Sequence, residues 1–339
     1  MKIASNSSGV PVLTIIVCSR SPHPDSRMVE NIAATAGVPY ELLWIDNSDN
    51  RHSIFSAYNS GVDRASGDIV CFCHEDIFFH TSGWGAVVCR ILADARVGLV
   101  GVYGFKAVSD KEDFRVWSPA GYGRILQGRR MKMSGMYVTD EVDWANMAGD
   151  DIPHSEECVA LDGLFMAARR EVAARIRFDE SFGGFHLYDF DISVQMVHHG
   201  YKVMSTTEIF IEHYSPGNFN ESFMESNAKF LDKWRGELPL VRGLDSVTAD
   251  HVMGEMERHH GQSLREMLYM GSGSPSRLDY RYIRAYLKWR SGNPSTAGRM
   301  VRDYVKNSAN ISKYRLKLFL KYIVYRARKG AQTKVPDRH

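Results

Sequence analysis

The chain has 339 residues, of which 44% are apolar and 24% charged, and its formal net charge is +2. These proportions are those of an ordinary globular protein, and the length suits one large α/β domain with an appendage. They leave little room for a disordered or membrane-spanning chain: no run approaches the ~20 apolar residues of a membrane helix, and MKIASNSSG at the N-terminus lacks the apolar segment of a signal peptide. The five cysteines (18, 71, 73, 89 and 158) show no metal-ligand spacing and sit in apolar contexts. An odd number of this kind predicts a reducing, cytoplasmic setting.

The small net charge hides an asymmetry. Residues 277 to 339 hold 17 Lys and Arg against 3 Asp and Glu, or +14, which leaves 25 against 37, or −12, for residues 1 to 276. Body and tail are electrostatically different objects.

Taken in order, the first element is a buried strand over Leu13–Cys18, followed by the polar loop from Ser19 to Pro22. A helix is predicted from Ser26 to Ala36, closed by Gly37. Tyr40 to Ile45 reads as a second strand ending in Asp46-Asn47-Ser48, and Ser53 to Ala65 as a second helix. Asp68 to Cys73 is a continuous apolar run, which suits a strand covered on both faces, and it stops abruptly at His74-Glu75-Asp76. A helix over Trp84–Ala93 and a strand over Gly98–Tyr103 follow. This alternation predicts right-handed βαβ crossovers and a mostly parallel sheet flanked by helices.

From Phe105 to Cys158 the pattern loosens, and the expectation is a long irregular insertion, either a binding loop or a covering subdomain. Val159–Ala168 reads as a strand broken by Asp162-Gly163, Asp191–His199 as a short helix ending at Gly200, and Tyr201–Ile211 as a late strand. Beyond about residue 240 the composition turns helical and basic, which places a domain boundary there: 1–240 and 241–339.

Two adjacent acids and a histidine at the end of a buried strand are costly unless a cation meets them. Ligands of open α/β sheets sit at the carboxyl ends of strands, so a divalent cation carrying a phosphorylated ligand would satisfy both facts. The plain alternative is a polar turn with Asp76 capping it. No G-x-G-x-x-G follows the first strand, where CSRSPHP stands instead, which argues against a dinucleotide enzyme.

Several ordered blocks between Val12 and Trp234 carry a resemblance: CSR after strand one, IDNSDN after strand two, YNSGVDRASGDIV before HEDI, then LDGLFMAARREV, FDESFGGFHLYDFDISVQMVHHGYKV and IEHYSPG. Together they resemble the GT-A-fold, family-two nucleotide-sugar glycosyltransferases, in a bacterial branch with a DG…GFHxYDxD…H signature. HEDIFF stands where that family has its DxD-type metal motif, and LYDFD where it has its catalytic acid motif. Two departures stand out: His74 begins the metal motif in place of Asp, and Tyr188 replaces the acid before Asp189.

The resemblance implies roles. Asp76 and His213 would bind Mn²⁺ or Mg²⁺, with a histidine among the ligands favouring Mn²⁺ modestly. Asp189 aligns with the family's base. Asp191 is grouped with it, either capping the following helix or holding a sugar. Cys18, Ser19, Arg20, Asp46, Asn47, Asn59, His74 and Glu75 would line the nucleotide or donor site. Asp162 and Gly163 would form the donor or acceptor loop, glycine permitting close backbone approach.

The implied activity is metal-dependent, inverting transfer of a sugar from a nucleoside-diphosphate sugar, a UDP-sugar foremost, to a glycan or lipid-linked glycan hydroxyl in bacterial surface polysaccharide synthesis. The runner-up is a non-catalytic sugar-nucleotide-binding protein on the same fold. In the tail, Lys313, Lys317 and Lys321 share one helical face and Leu316, Phe319, Leu320, Ile323 and Val324 another. Residues 313–329 therefore suit either an anionic membrane surface, on the inner face of the cell membrane, or packing on the acidic body, as in a homodimer. No RNA-binding motif is present, and no nucleic-acid partner is expected.

Overall fold

A computed structural model describes residues 2–4, 12–110, 121–123, 125–130, 137–143, 154–214 and 221–254. The chain divides into two units: 1–112 with 117–254, which holds every described residue, and 113–116 with 255–339. The expectations for the basic tail lie outside the described residues.

The first half follows the predicted alternation. The elements are β1 (Lys2–Ala4), β2 (Leu13–Ser19), α1 (Ser26–Thr35), β3 (Tyr40–Asp46), α2 (Ile54–Arg64), β4 (Ile69–Cys73), β5 (Ile77–Phe79), α3 (Trp84–Leu92) and β6 (Val97–Gly101). The helices begin where local chemistry allows: Asp25 accepts from Arg27 N at 2.9 Å to start α1, and Ser53 from Ser56 N at 3.1 Å to start α2. After α1 the chain turns at Gly37, φ 71°, where a Cβ would meet Gly83 Cα at 2.6 Å. Gly83 N donates to Thr35 O at 2.7 Å, which holds the end of α1 against the start of α3.

The second half is more stranded than expected. It comprises β7 (Tyr103–Phe105), β8 (Ala107–Val108), β9 (Gly121–Gly123), β10 (Ile125–Arg130), β11 (Tyr137–Asp143), β12 (Ser155–Cys158), β13 (Ala160–Leu161), β14 (Phe165–Arg169), α4 (Arg170–Ile176), α5 (Tyr188–His198), β15 (Lys202–Thr206), β16 (Ile211–His213), α6 (Glu221–Lys233) and β17 (Leu240–Val241). Strands therefore occupy much of the supposed irregular insertion.

An eight-stranded sheet in the order β1-β3-β2-β4-β14-β6-β15-β12 forms the centre. β3, β2, β4, β6 and β15 run one way; β1, β14 and β12 run the other. The sheet is thus mostly parallel, with α2 packed on β2 and α3 on β6. β14 is antiparallel because it arrives from a stranded excursion and not through a crossover helix. β4 lies between β2 and β14 and every residue of it is buried, each large side chain contributing about 1.5–3 kcal/mol.

Two local expectations are corrected. The late strand is two strands in different sheets, β15 in the large one and β16 in the second, ordered β11-β10-β16-β5. The chain breaks between them because Thr207 N turns to His154 O at 2.9 Å and Thr206 Oγ1 takes Glu208 N at 3.2 Å. The helix expected from Asp191 starts three residues earlier, with Leu187 at φ 62° preceding it, so Asp191 is inside the helix and caps nothing.

β17 pairs with β8, so the chain past residue 240 still contributes to the first unit.

Candidate active site

The site is assembled at the carboxyl end of β4. Because β14 runs antiparallel to β4, its first residues lie where β4 ends: Phe165 pairs with Cys73, and His74 N donates to Leu164 O at 3.0 Å. This brings Asp162 and Gly163 beside His74. On the other side β5 leaves the motif and pairs with β16, so that Tyr214 N reaches Asp76 O at 3.2 Å and His213 arrives opposite Ile77.

Those two pairings create a group of three potential ligands. His74 Nδ1 lies 3.2 Å from His213 Nε2, and His213 Nε2 lies 3.6 Å from Asp76 Oδ1; one ligand atom from each residue falls within 4.8 Å of the others. Burial holds His74 down at about 3, and the neighbouring His213 adds to the depression. His74 is therefore neutral, the form of imidazole that binds metals. Two imidazoles and one carboxylate fit Mn²⁺ better than the all-oxygen preference of Mg²⁺. Asp76 and His213, expected as metal ligands, are both members of this group. His74, assigned by the sequence to the nucleotide or donor, instead joins them; nothing local could show this, because His213 is 139 residues away.

Glu75 turns away from that group. It accepts from Ser19 Oγ and from Arg20 N at 3.1 Å, and faces Arg20 Nη2 at 3.5 Å. Ser19, Arg20 and Glu75 are thus one cluster joining the ends of β2 and β4, with the Arg20 side chain 86% exposed. Asn47 N donates to Ser19 O at 2.7 Å, so the end of β3 lies alongside. There Asn47 closes its own loop through His52, donating to His52 O and accepting from His52 N, both at 2.9 Å. Asp46 is exposed and its carboxyl is held down by the Ser48 N–H it accepts at 2.9 Å. Burial pushes the Cys18 thiol up to about 11, which makes it inert near neutrality.

Asn59 is not part of this wall. Its amide donates to Phe178 O at 2.9 Å and accepts from Phe178 N at 3.0 Å, both in the interior, and donates to Glu180 Oε1 at 2.8 Å nearer the surface. It ties α2 to the segment before α5.

The two acids in the first turn of α5 point to different partners. Asp189 accepts from Gly163 N and Phe190 N, both at 2.9 Å. Burial raises its carboxyl to about 7, and nearby Asp162 adds to the rise. A base poised near neutrality can take a proton efficiently. Asp162 itself bonds Leu164 N at 3.1 Å and shapes the turn. Asp191 is fully buried and meets Lys233 Nζ at 2.8 Å, Trp234 Nε1 at 2.9 Å and Gln195 Nε2 at 2.9 Å. Its place is the junction of α5 and α6, out of reach of a substrate.

Gly163 has a local reason for its identity. A Cβ there would sit 2.1 Å from the Tyr188 hydroxyl, so the glycine makes room for Tyr188 and not only for a ligand. Tyr188 Oη in turn donates to Gly163 O at 3.0 Å and lies 2.7 Å from His74 Nε2. Phe185, half exposed after Gly183 and Gly184, has its ring 5.8 Å from that of His74 and borders the site.

Residues 14–234 match a family described as glycosyltransferase-like, well over half of the chain. The chain belongs to that glycosyltransferase-like family. A protein from Fuscovulum blasticum, described as ATP synthase subunits region ORF 6, is 25% identical over 251 residues, covering 71% of this glycosyltransferase-like chain and 91% of that protein. Among solved structures, GalNAc-T7 with UDP, GalNAc and Mn²⁺ aligns at TM-score 0.45 and 10% identity over 79% of this chain; the chain spans 59% of the GalNAc-T7 chain. The mannosyltransferase PcManGT from Pyrobaculum calidifontis, in complex with GDP-Man and Mn²⁺, aligns at 0.44 and 13% identity, covering 88% of each chain. No helix among the described residues of the glycosyltransferase-like chain is long and apolar enough to cross a membrane.

Proposed function

We propose that this chain is a metal-dependent, inverting glycosyltransferase of GT-A type, moving a sugar from a nucleoside-diphosphate sugar to an acceptor hydroxyl. The observation that carries the reading is the joining of two unlike groups at one strand end. One ligand atom each of His74, Asp76 and His213 lies within 4.8 Å of the others, and a neutral-range carboxylate, Asp189, accepts from the N–H of Gly163, whose C=O bonds the Tyr188 hydroxyl that also meets His74.

The division of labour follows from the chemistry. A divalent ion held by His74, Asp76 and His213 would neutralise the charge growing on the departing diphosphate. Ser19, Arg20, Asp46 and Asn47 stand at the ends of β2 and β3, where a nucleotide lies in an open α/β sheet. Exposed Arg20 supplies a cation for a phosphate or ribose, and the loop at Asp46 and Asn47 supplies acceptors and donors. The acceptor oxygen attacks the anomeric carbon as the bond to the diphosphate breaks, and its proton passes to Asp189. Attack from the face opposite the leaving group inverts the centre.

The proposed acceptor is a glycan or lipid-linked glycan of a bacterial surface polysaccharide, with the +14 tail holding a cytoplasmic enzyme at the inner membrane face. The test is a panel of UDP- and GDP-sugars screened for Mn²⁺-dependent thermal stabilisation, followed by hydrolysis and transfer assays. Stabilisation by one sugar nucleotide that vanishes with chelator supports the reading. Binding without turnover on any acceptor would favour a sugar-nucleotide-binding protein.

A further inference from the structure

The two departures from the family's motifs touch one another. His74, in place of an aspartate, and Tyr188, in place of an acid, are 2.7 Å apart, and 114 residues separate them in the chain. A histidine can bind a metal through either ring nitrogen, and the choice is set by what the other nitrogen bonds. The surroundings of Tyr188 decide that choice.

Tyr188 Oη has one proton. Gly163 O, 3.0 Å away, can only accept, so that proton belongs to the carbonyl. Were it turned to His74, two oxygen lone pairs would face each other at 3.0 Å in a buried pocket. Tyr58, whose hydroxyl bonds that of Tyr188 and donates to Cys73 O at 3.3 Å, does not relieve the shortage, because it brings no proton to Gly163 O. Only lone pairs of Tyr188 Oη remain for His74, and a lone pair binds an imidazole only through N–H. His74 must therefore carry its proton on Nε2, which leaves Nδ1 bare. Bare Nδ1 is the atom that faces His213 Nε2 at 3.2 Å, in the group with Asp76.

We infer that Tyr188 is a positioning residue of the metal centre, holding His74 as the Nε2–H tautomer so that Nδ1 is offered to the cation. The inference rests on the metal-dependent reading proposed above. It explains why the third position of the group is a histidine: Tyr188 accepts a proton from an imidazole, whereas an aspartate there would face the same lone pairs with none to give. It also explains Gly163, since any Cβ at that position collides with the hydroxyl at 2.1 Å. Gly163 gives its N–H to Asp189 and takes the Tyr188 proton at its C=O, so the two successive peptides that meet at this one residue bond the base and the residue that positions the ligand.

The test uses full-length protein and the Tyr188→Phe variant, which keeps the ring packed among Phe55, Tyr58 and Phe178 and removes only the hydroxyl. Long-range ¹H–¹⁵N spectra of ¹⁵N-histidine-labelled, metal-free protein report the tautomer directly, with a His74→Gln spectrum assigning its signals among 13 histidines. The expected result is a protonated Nε2 in the wild type, lost or mixed in Tyr188→Phe. Mn²⁺ titrated alone, and again with UDP, is read by the EPR signal of the free ion; the variant should bind about 10- to 100-fold more weakly. A wild-type His74 protonated at Nδ1 overturns the inference, and so does Mn²⁺ affinity in Tyr188→Phe within twofold of wild type. Wild-type protein that takes up no Mn²⁺ under either condition overturns the metal reading and the positioning role with it. The tautomer spectrum, recorded without metal, tells that failure from a failure of Tyr188 alone.

Discussion

Lys233 Nζ lies 2.8 Å from Asp191 Oδ1, and Trp234 Nε1 reaches the same carboxylate at 2.9 Å, so the end of α6 is pinned to the first turn of α5. Two residues earlier Asp189 faces the opposite way, toward Gly163. One helical turn therefore holds both a structural acid and the acid proposed as the base. Removing the buried partner leaves Lys233, whose side chain is 27% exposed, with Asp179 at 2.8 Å as its remaining counter-charge. Asp191→Ala should cost about 1–3 kcal/mol in urea unfolding, below the 3–5 kcal/mol of a fully buried pair because Lys233 reaches water. Below its melting temperature the variant should retain kcat within a few-fold. A kcat loss matching that of Asp189→Asn, with no loss of stability, would return Asp191 to the chemistry.

Asp189→Asn should lower kcat by about 10²- to 10⁴-fold while donor binding, measured by calorimetry, changes little. Turnover that survives this change would place the base elsewhere.

The same carboxyl gives two pH dependences. Its pKa is raised from 3.8 to about 7 in the folded chain, so kcat should fall as pH drops below about 7 and the base becomes protonated. For stability the sign is opposite. Between about pH 4 and 7 the folded state holds a proton that the unfolded state has released, so this group's contribution to stability declines as pH rises through that window. Asp189→Asn should remove that decline, narrowing the difference between melting temperatures at pH 5 and pH 8.

Chelation or loss of a ligand should act on nucleotide binding as well as on rate. Asp76→Ala and His213→Ala should each abolish or sharply reduce Mn²⁺-dependent sugar-nucleotide binding, and His74→Ala should behave like His213→Ala. Undiminished activity in excess EDTA would remove the cation from the mechanism.

Asn59 separates stability from binding. Its two buried hydrogen bonds join α2 to Phe178, and a third, part-buried, joins it to Glu180. Asn59→Ala should cost about 1–3 kcal/mol of stability through the buried groups left unpaired, with donor affinity unchanged. A selective loss of donor affinity would bring Asn59 back to the nucleotide.

The basic tail yields a salt-dependent expectation. Full-length protein should co-sediment with anionic liposomes at low salt, less so at 0.5 M NaCl, and a chain ending at Ser276 should not bind. No liposome binding by the intact protein, with truncation dissociating a dimer, would make the tail a packing element.

Local and tertiary information divide cleanly in this molecule. The apolar runs at Leu13, Tyr40 and Ile69 and the glycine after α1 are short-range features, because strand burial and helix termination depend on neighbours a few residues away. They made the alternating first half, and the polar end of β4, legible in the sequence. The antiparallel insertion of β14 and the split of the late strand were not legible, since strand direction and sheet membership are set by which distant edge a segment pairs with. The site shows the same division. Motif order singled out Asp76, Asp189 and His213, but one helical turn looks alike from either side, and only the packing of α6 against α5 assigns Asp191 to Lys233. His74 meets His213 and Tyr188 across 139 and 114 residues. Such contacts have no local signature; they exist because β14 and β16 close on the end of β4, and that closure decides which nitrogen, hydroxyl and carboxylate come to share one pocket.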